Sequence, residues 1–394
     1  MAVKCMLKRH TFFYRLLWPF VVLFLWVWFG YRAERPKNLP GNYLVLANHT
    51  TDWDPLFVGA AFPRMMYFVG SEHIARWPNA YRFLKFGFNP IMRYKGTTAF
   101  STVTEILRRL RAGKNVCLFA EGVRSWDGLN SPILPSTGKM VKKAKCGLVT
   151  YRIEGGYFLS PMWSNSMRKG PIRGRVANVY TPEQIAAMTP EQVNEAIVRD
   201  LHEDAYARQL ADPVPYKGNG LAEGMENFLF LCPQCGGVDT MQSHGDRVAC
   251  TVCGHSFRYT EYGMLEGTSV STMPELSRWQ REETVRHAAE GVTYTAPNAS
   301  LIQLDGHKEV PICEGPISMD GSEFACGSVR IPLDRISDLA MHGKRALVFS
   351  AQGAYYDMNV SDGANVLKFM WLYQAYKNLG AKKVPAMVGE SKAD

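Results

Sequence analysis

The sequence predicts an α/β fold. A mixed sheet flanked by helices is preceded by an apolar N-terminal helix and followed by a four-cysteine ribbon and a small β-rich C-terminal domain. Three observations predict it. Short apolar runs alternate with amphipathic stretches from about residue 41 to about residue 210, the pattern of strands and helices in an α/β layer. Two Cys-x2-Cys pairs, Cys232/Cys235 and Cys250/Cys253, stand fourteen residues apart. Beyond Ala296 the pattern turns to short strands separated by turn residues. The expected domains are 1–35, 36–215, 216–260 and 261–394.

Bulk properties narrow the class. A chain of 394 residues is long for one domain, and 46% hydrophobic residues suits packed cores and excludes a disordered chain. A formal charge of +9 favours anionic partners: nucleic acid, phosphorylated substrates or an acidic membrane face. Of nine cysteines, four fall in one tight pattern and the rest are scattered. That is not a secreted disulfide framework and points to a reducing compartment.

The first fifteen residues carry Lys4, Lys8, Arg9 and Arg15. Leu16 to Tyr31 is then uncharged and almost wholly apolar, with Trp18, Trp26 and Trp28. Those sixteen residues of helix rise about 24 Å against a hydrocarbon core of roughly 30 Å. If Arg15 snorkels, the run starts near Thr11 and reaches across. No small-residue cleavage site follows, which disfavours a signal peptide. Membrane insertion, spanning or in one leaflet, is the expectation. Basic residues flank both ends, so charge does not set the orientation.

Gly41 to Ala47 reads as a strand. It delivers Asn48-His49-Thr50-Thr51-Asp52-Trp53-Asp54-Pro55 to a turn, where Asp54-Pro55 reads as an N-cap followed by Pro at the first helical position. On one continuous helix, His49 and Asp54 would sit on different faces. With a turn between them, the carboxylate folds back onto the imidazole and fixes its tautomer, so the free ring nitrogen can take a proton from a substrate hydroxyl. Asp52 is the nearby rival partner. Met65 to Val69 reads as a strand, Ala80 to Phe86 as a helix, and Ser101 to Leu110 as an amphipathic helix with Ser101 as its cap and Gly113 as its stop. Asn115 to Phe119 and Leu148 to Ile153 read as buried strands. The capping box Thr189-Pro190-Glu191-Gln192 opens a helix running to about Leu210.

Two further motifs follow the histidine at intervals. They are Gly87-Phe88-Asn89-Pro90-Ile91-Met92-Arg93 and Leu118-Phe119-Ala120-Glu121-Gly122-Val123-Arg124-Ser125. In this order and spacing the three resemble the first motifs of the glycerolipid acyltransferase family, over roughly residues 36 to 180. Ala120 and Val123 depart from the usual Pro and Thr of the third motif. Gly147-Leu148-Val149-Thr150 corresponds to the fourth without its Pro. The resemblance implies His49 and Asp54 as the catalytic pair and Arg93, Glu121, Gly122, Arg124 and Ser125 on the substrate. Arg offers planar donors suited to phosphate oxygens. Glu121 would orient Arg124 or accept from a substrate hydroxyl, and Gly122 lets backbone approach a ligand. Lys95 is ambiguous. The run Lys139, Lys142, Lys143, Lys145 reads as a solvated face.

Cys232, Cys235, Cys250 and Cys253 fit a structural four-thiolate zinc ribbon with no open coordination position. His244 and His255 are then bystanders. A ribbon on a basic chain raises nucleic-acid binding, but no stripe of interleaved aromatic and basic residues surrounds it, so no nucleic acid is expected. Thr272 caps a helix towards Glu290. Strands follow at 301–304, 309–312, 328–331, 345–350 and 354–360, and a helix opens at Ser361. A small sheet closed by one helix resembles a pleckstrin-homology-like module in element order.

The expectation is a membrane-bound 1-acylglycerol-3-phosphate O-acyltransferase-like enzyme whose catalytic domain faces the cytoplasm. The resemblance implies acyl-CoA or acyl carrier protein as donor and a lysophosphatidate-like acceptor. Glycerol 3-phosphate or another lysophospholipid is the alternative acceptor. An inactive, membrane-tethered zinc-ribbon adaptor is the alternative of a different class.

Overall fold

The computed structural model describes residues 2–71, 78–93, 99–305, 308–361 and 364–383. Lys95 lies outside them. The chain divides into two compact units. The first comprises Met1–Leu221, Tyr259–Met264 and Thr272–Pro274, and the second Ala222–Arg258, Leu265–Ser271 and Glu275–Asp394.

The first unit begins with α1 (Ala2–Phe29), β1 (Arg32–Ala33), β2 (Tyr43–Ala47), α2 (Asp54–Ala61), β3 (Met66–Ser71), α3 (Pro78–Gly87) and β4 (Ile91–Arg93). It continues with α4 (Ala99–Arg111), β5 (Asn115–Phe119), α5 (Ser136–Ala144), β6 (Gly147–Glu154), α6 (Gly156–Leu159) and β7 (Arg173–Tyr180). It ends with α7 (Pro182–Ala187), α8 (Pro190–Leu201) and α9 (Ala205–Ala211). The sheet order is β1-β7-β6-β2-β5-β3-β4. β2 pairs parallel with β5 and β6, and β7 runs antiparallel to β6, so the sheet is mixed.

Central β2 is buried along its whole length, and its side-chain alternation builds two cores. Tyr43, Val45 and Ala47 face Phe57 of α2, Phe62 just after it and Phe29 of α1. Leu44 and Leu46 face Ile106, Val141 and Ile197 from α4, α5 and α8. A parallel strand covered on both sides reads as a continuous apolar run, which is what Tyr43–Ala47 is.

α1 is not free of the unit. Tyr14 donates its hydroxyl to the Gly59 and Phe62 carbonyls at 2.7 Å each, and Trp18 Nε1 donates to Gly59 O at 3.2 Å. Leu25 and Phe29 are buried in the core beside α2, while Phe12, Leu16, Phe20, Trp26 and Trp28 are exposed.

Three local expectations change. α4 starts at Ala99, so Ser101 lies inside its first turn and is not its cap. Gly113 does stop the helix, at φ +72°. The helix opened by the Thr189 capping box ends at Leu201, and a second helix, α9, begins after Asp204, whose side chain accepts from Ala207 N at 2.8 Å. A local cap there outweighs continuation. Lys142 is not fully solvated: its Nζ donates to the carbonyls of Ile185, Ala186 and Met188, at the end of α7.

The second unit opens with a four-stranded sheet: β8 (Met241–His244), β9 (Arg247–Cys250), β10 (Ser256–Tyr259) and β11 (Leu265–Glu266), in the order β11-β10-β9-β8. Beside it the four sulfurs of Cys232, Cys235, Cys250 and Cys253 lie within 4.8 Å of one another. The gaps from Cys232 to Cys253 and from Cys235 to Cys250 are 3.7 and 3.8 Å. Sulfurs about 2.3 Å from a tetrahedral centre would be about 3.8 Å apart, so the cluster fits a metal held by four thiolates. After each pair a glycine takes positive φ, Gly236 at +70° and Gly254 at +73°, closing both knuckles.

α10 (Met273–Ala289) ties down the segment before the first knuckle. Gln280 Oε1 accepts from Phe230 N and Leu231 N, and Gln280 Nε2 donates to Phe228 O. β12 (Tyr294–Asp305), β13 (Lys308–Met319), β14 (Glu323–Cys326), β15 (Val329–Pro332), β16 (Ile336–His342), β17 (Ala346–Ala351) and β18 (Ala354–Val360) form an antiparallel sheet in the order β15-β14-β13-β12-β18-β17-β16. The last described element is α11 (Leu367–Lys383), which starts six residues after Ser361, where the sequence placed its opening. Its Lys368, fully buried, pairs with Asp239 beside the first knuckle and donates to Thr295 O at 2.6 Å. β14 and β16 were not expected from the sequence. Cys313 and Cys326, two of the scattered cysteines, are disulfide-bonded between β13 and β14, against the expectation of a reducing compartment.

Candidate active site

β2 ends at Ala47, but the sheet pairing runs one residue further through a side chain. Asn48 Nδ2 donates to Ile153 O at 2.9 Å, and Ile153 N donates to Asn48 Oδ1 at 2.7 Å. The amide stands in for a strand residue and frees the main chain to turn at His49. The third motif then grips His49 by its backbone. His49 N donates to Glu121 Oε1 at 3.0 Å, and Ser125 N donates to His49 O at 3.1 Å. The imidazole stacks on Phe119 with centroids 4.6 Å apart.

His49 Nδ1 lies 2.8 Å from Asp54 Oδ2. Asp54 is not the N-cap that the sequence implied; it is the first residue of α2, with Trp53 in the cap position and Pro55 behind it. Its carboxylate is fully buried and turned back over the loop. Oδ2 also accepts from Thr50 N at 2.5 Å and Thr51 N at 2.9 Å, and Oδ1 accepts the hydroxyls of Thr50 and Thr51 at 3.1 and 2.7 Å. Gly156 makes this packing feasible: a Cβ there would stand 2.1 Å from Thr50 Oγ1. Nε2 is the ring nitrogen left over, and His49 lines a small cleft with Glu121, Asn130, Tyr157 and Glu203. This arrangement can take a proton from a hydroxyl that enters the cleft.

Asp52 does not touch His49. It pairs instead with Arg124, whose Nη1 donates to Asp52 Oδ2 at 2.8 Å. Arg124 Nε donates to Thr50 O at 3.3 Å and Nη2 to Ser160 O at 2.6 Å. Arg93 is exposed on β4, and a Cβ on Gly122, which sits at φ +71°, would lie 3.6 Å from its Nη1.

Residues 31–154 match the Acyltransferase family model. The match covers about a third of the chain. The match holds the whole His49–Asp54 loop, Arg93 and the third motif. Among solved structures, the chain is similar to the 1-acyl-sn-glycerophosphate acyltransferase PlsC from Thermotoga maritima, at 17% identity and a TM-score of 0.40, over 48% of this chain and 78% of that one. It is also similar to the N-terminal PH domain of human ARAP2, at 13% identity and a TM-score of 0.18, over 26% of this chain and 89% of that one. No curated protein matches the sequence.

Within the matched segment, Glu121 does not orient Arg124. Besides His49 N, its oxygens accept from Asn130 Nδ2 at 2.8 Å and Ser131 N at 2.6 Å. Ser125 is likewise spent on the chain: its hydroxyl donates to Leu129 O at 2.7 Å and accepts from Gly128 N at 2.9 Å, shaping the loop that walls the cleft. Sequence reasoning gave no role to Asn48, Thr50 or Thr51, although all three stand inside the histidine motif. It missed Asn130 and Glu203 outright. Asn130 Oδ1 accepts from Glu203 N at 2.5 Å, a contact across 73 residues with no local signal.

Burial pushes the Glu121 carboxyl up from 4.5 to about 6, against the pull of the N–H groups of Asn130, Ser131 and His49 and the charge of His49. A carboxyl raised in the folded state contributes stability below its unfolded value and loses it as pH rises through the folded value. Relative to Glu121→Gln, which does not titrate, the wild type should gain up to about 2 kcal/mol as pH falls from 7 to 4.5. Denaturant midpoints of both proteins across this range check it; a gap that is constant or that narrows contradicts it.

Proposed function

We propose that the chain is a membrane-associated O-acyltransferase that moves an acyl chain from an acyl thioester to the hydroxyl of a lysophosphatidate-like acceptor. The observation that carries the reading is the 2.8 Å contact of His49 Nδ1 with Asp54 inside the matched acyltransferase segment. Asp54 holds the ring tautomer and balances the imidazolium that forms. His49 Nε2 takes the acceptor's hydroxyl proton. The oxygen attacks the thioester carbonyl, and collapse of the tetrahedral intermediate breaks the C–S bond, the leaving thiolate taking the proton back from the His49 imidazolium to depart as the thiol. Arg93 and Arg124 supply donors for the acceptor's phosphate, and Gly122 lets backbone approach it. Glu121 and Ser125 act on the substrate through the loop and histidine they hold. The donor is acyl-CoA or acyl carrier protein.

Lysophosphatidate added with acyl-CoA or an acyl carrier protein thioester should release free thiol and form phosphatidate. Thiol release that no lysophosphatidate, glycerol 3-phosphate or other lysophospholipid stimulates, with either donor, would refute the reading.

Membrane association rests on α1, whose Lys8–Phe29 stretch of 22 residues is long and apolar enough to cross a membrane. Yet one face of it is bonded and packed onto α2. We therefore favour insertion of the exposed Phe, Leu and Trp face into one leaflet. Arg35 over the Trp18 ring and Lys169 over the Trp28 ring would then sit at headgroup level. The catalytic domain would face the cytoplasm. Substituting Phe12, Phe20, Trp26 and Trp28 with Ser should release the protein from vesicles in flotation, with the acyltransferase domain still folded. Unchanged vesicle binding would contradict this placement.

The four-cysteine cluster is read as a structural zinc site. Its ties to α10 and α11 run through Gln280 and Lys368, so the metal would brace the fold of the second unit. Purified protein should carry one zinc per chain. Chelation or Cys232→Ser should lower the unit's thermal midpoint. Well under one zinc per chain, or unchanged stability after its removal, would overturn this.

A further inference from the structure

The loop that positions His49 holds one charged contact that the acylation chemistry does not use. Arg124 has a side chain only 9% exposed, yet its carboxylate partner Asp52 is 82% exposed. The two ends of this ion pair live in different solvents. Arg124 is held from within: its Nε and Nη2 donate to the Thr50 and Ser160 carbonyls, and neither contact needs Asp52. Nη1 is the donor turned outward. Asp52, by contrast, makes no bond among the described residues except to Arg124. The backbone on both sides of it is fixed, by Thr51 on Asp54 and by Trp53 against Phe24 and Phe29. The Asp52 side chain can therefore rotate into water without disturbing the histidine loop or the guanidinium.

We propose that Asp52 is a specificity-determining residue: its carboxylate occupies the outward donor of Arg124, and the acceptor's phosphate displaces it on binding. This rests on the reading of the acceptor as phosphorylated and adds what the phosphate must replace. A mostly buried guanidinium with only neutral carbonyl and hydroxyl partners would carry an uncompensated charge and take up a small anion. Asp52 supplies the compensation in the free enzyme. An incoming group has to outbid a carboxylate of one charge. A phosphomonoester, with about −1.5 to −2 charges and three acceptor oxygens, does so. A neutral headgroup does not. Arg93, exposed beside Gly122, is the second cation available to the same phosphate.

The test is Asp52→Asn in the full chain, a surface change that leaves the His49–Asp54 contacts in place. Initial rates are measured with lysophosphatidate and with monoacylglycerol, which lacks the phosphate. The lysophosphatidate KM should fall by about two- to five-fold, the range that loss of a competing exposed ion pair supplies. The effect should fall on KM rather than kcat, and the monoacylglycerol KM should not follow it. Arg124→Ala added to Asp52→Asn should abolish the gain. A lysophosphatidate KM that is unchanged or raised in Asp52→Asn overturns the proposal. Wild-type protein that takes both acceptors equally well overturns the phosphate reading itself. A wild-type phosphate preference that Asp52→Asn leaves untouched sinks the role of Asp52 alone.

Discussion

A buried carboxylate with five donors holds the candidate site together. Asp54 stands fully buried in the first turn of α2, where the helix N-terminus favours negative charge. His49, Thr50 and Thr51 give it five bonds. An uncompensated buried charge is costly, so the three residues before the helix have to fold onto it. That requirement turns the chain at His49 and commits Nδ1 to Asp54, leaving Nε2 as the other ring nitrogen of a histidine that lines the cleft. Gly156 follows from the same requirement, because Thr50 could not sit against Asp54 if a side chain stood behind it.

Everything around this knot serves to hold its outer edge. Asn48 extends the sheet pairing by a side chain, and Glu121 and Ser125 clamp the backbone of His49 on both sides. Arg124 bonds the carbonyl of Thr50. The third motif thus touches the first by way of main-chain groups as much as through any substrate. Its glutamate and serine are positioned to hold the histidine, and its arginine to hold the loop.

The parts legible in the sequence were those with a local cause. The five-residue interval from His49 to Asp54, broken by a turn, indicated the contact correctly. The continuous apolar run Tyr43–Ala47 indicated a strand, and the Thr189 capping box indicated the start of α8. Two cysteine pairs of fixed spacing indicated their own cluster. What stayed hidden depends on distant chain. Asp52 looked like a rival to Asp54 because its partner, Arg124, lies 72 residues on. Asn130 meets Glu203 only after α5, β6 and α8 are assembled. α1 read as uniformly apolar, and its buried and exposed faces separate only once α2 packs against one of them. β14 and β16 are flanked by turn residues and carry too few alternating apolar positions to stand out.

The central claim is that His49, oriented by Asp54, is the base. Turnover of purified His49→Ala and Asp54→Asn proteins, each verified as folded, tests it most directly. His49→Ala should lose at least the roughly 10²-fold that a positioned base supplies. Asp54→Asn should keep acceptor KM near that of the wild type while kcat falls steeply, because the amide cannot hold the tautomer or balance the imidazolium. A folded His49→Ala protein with full turnover would contradict the account.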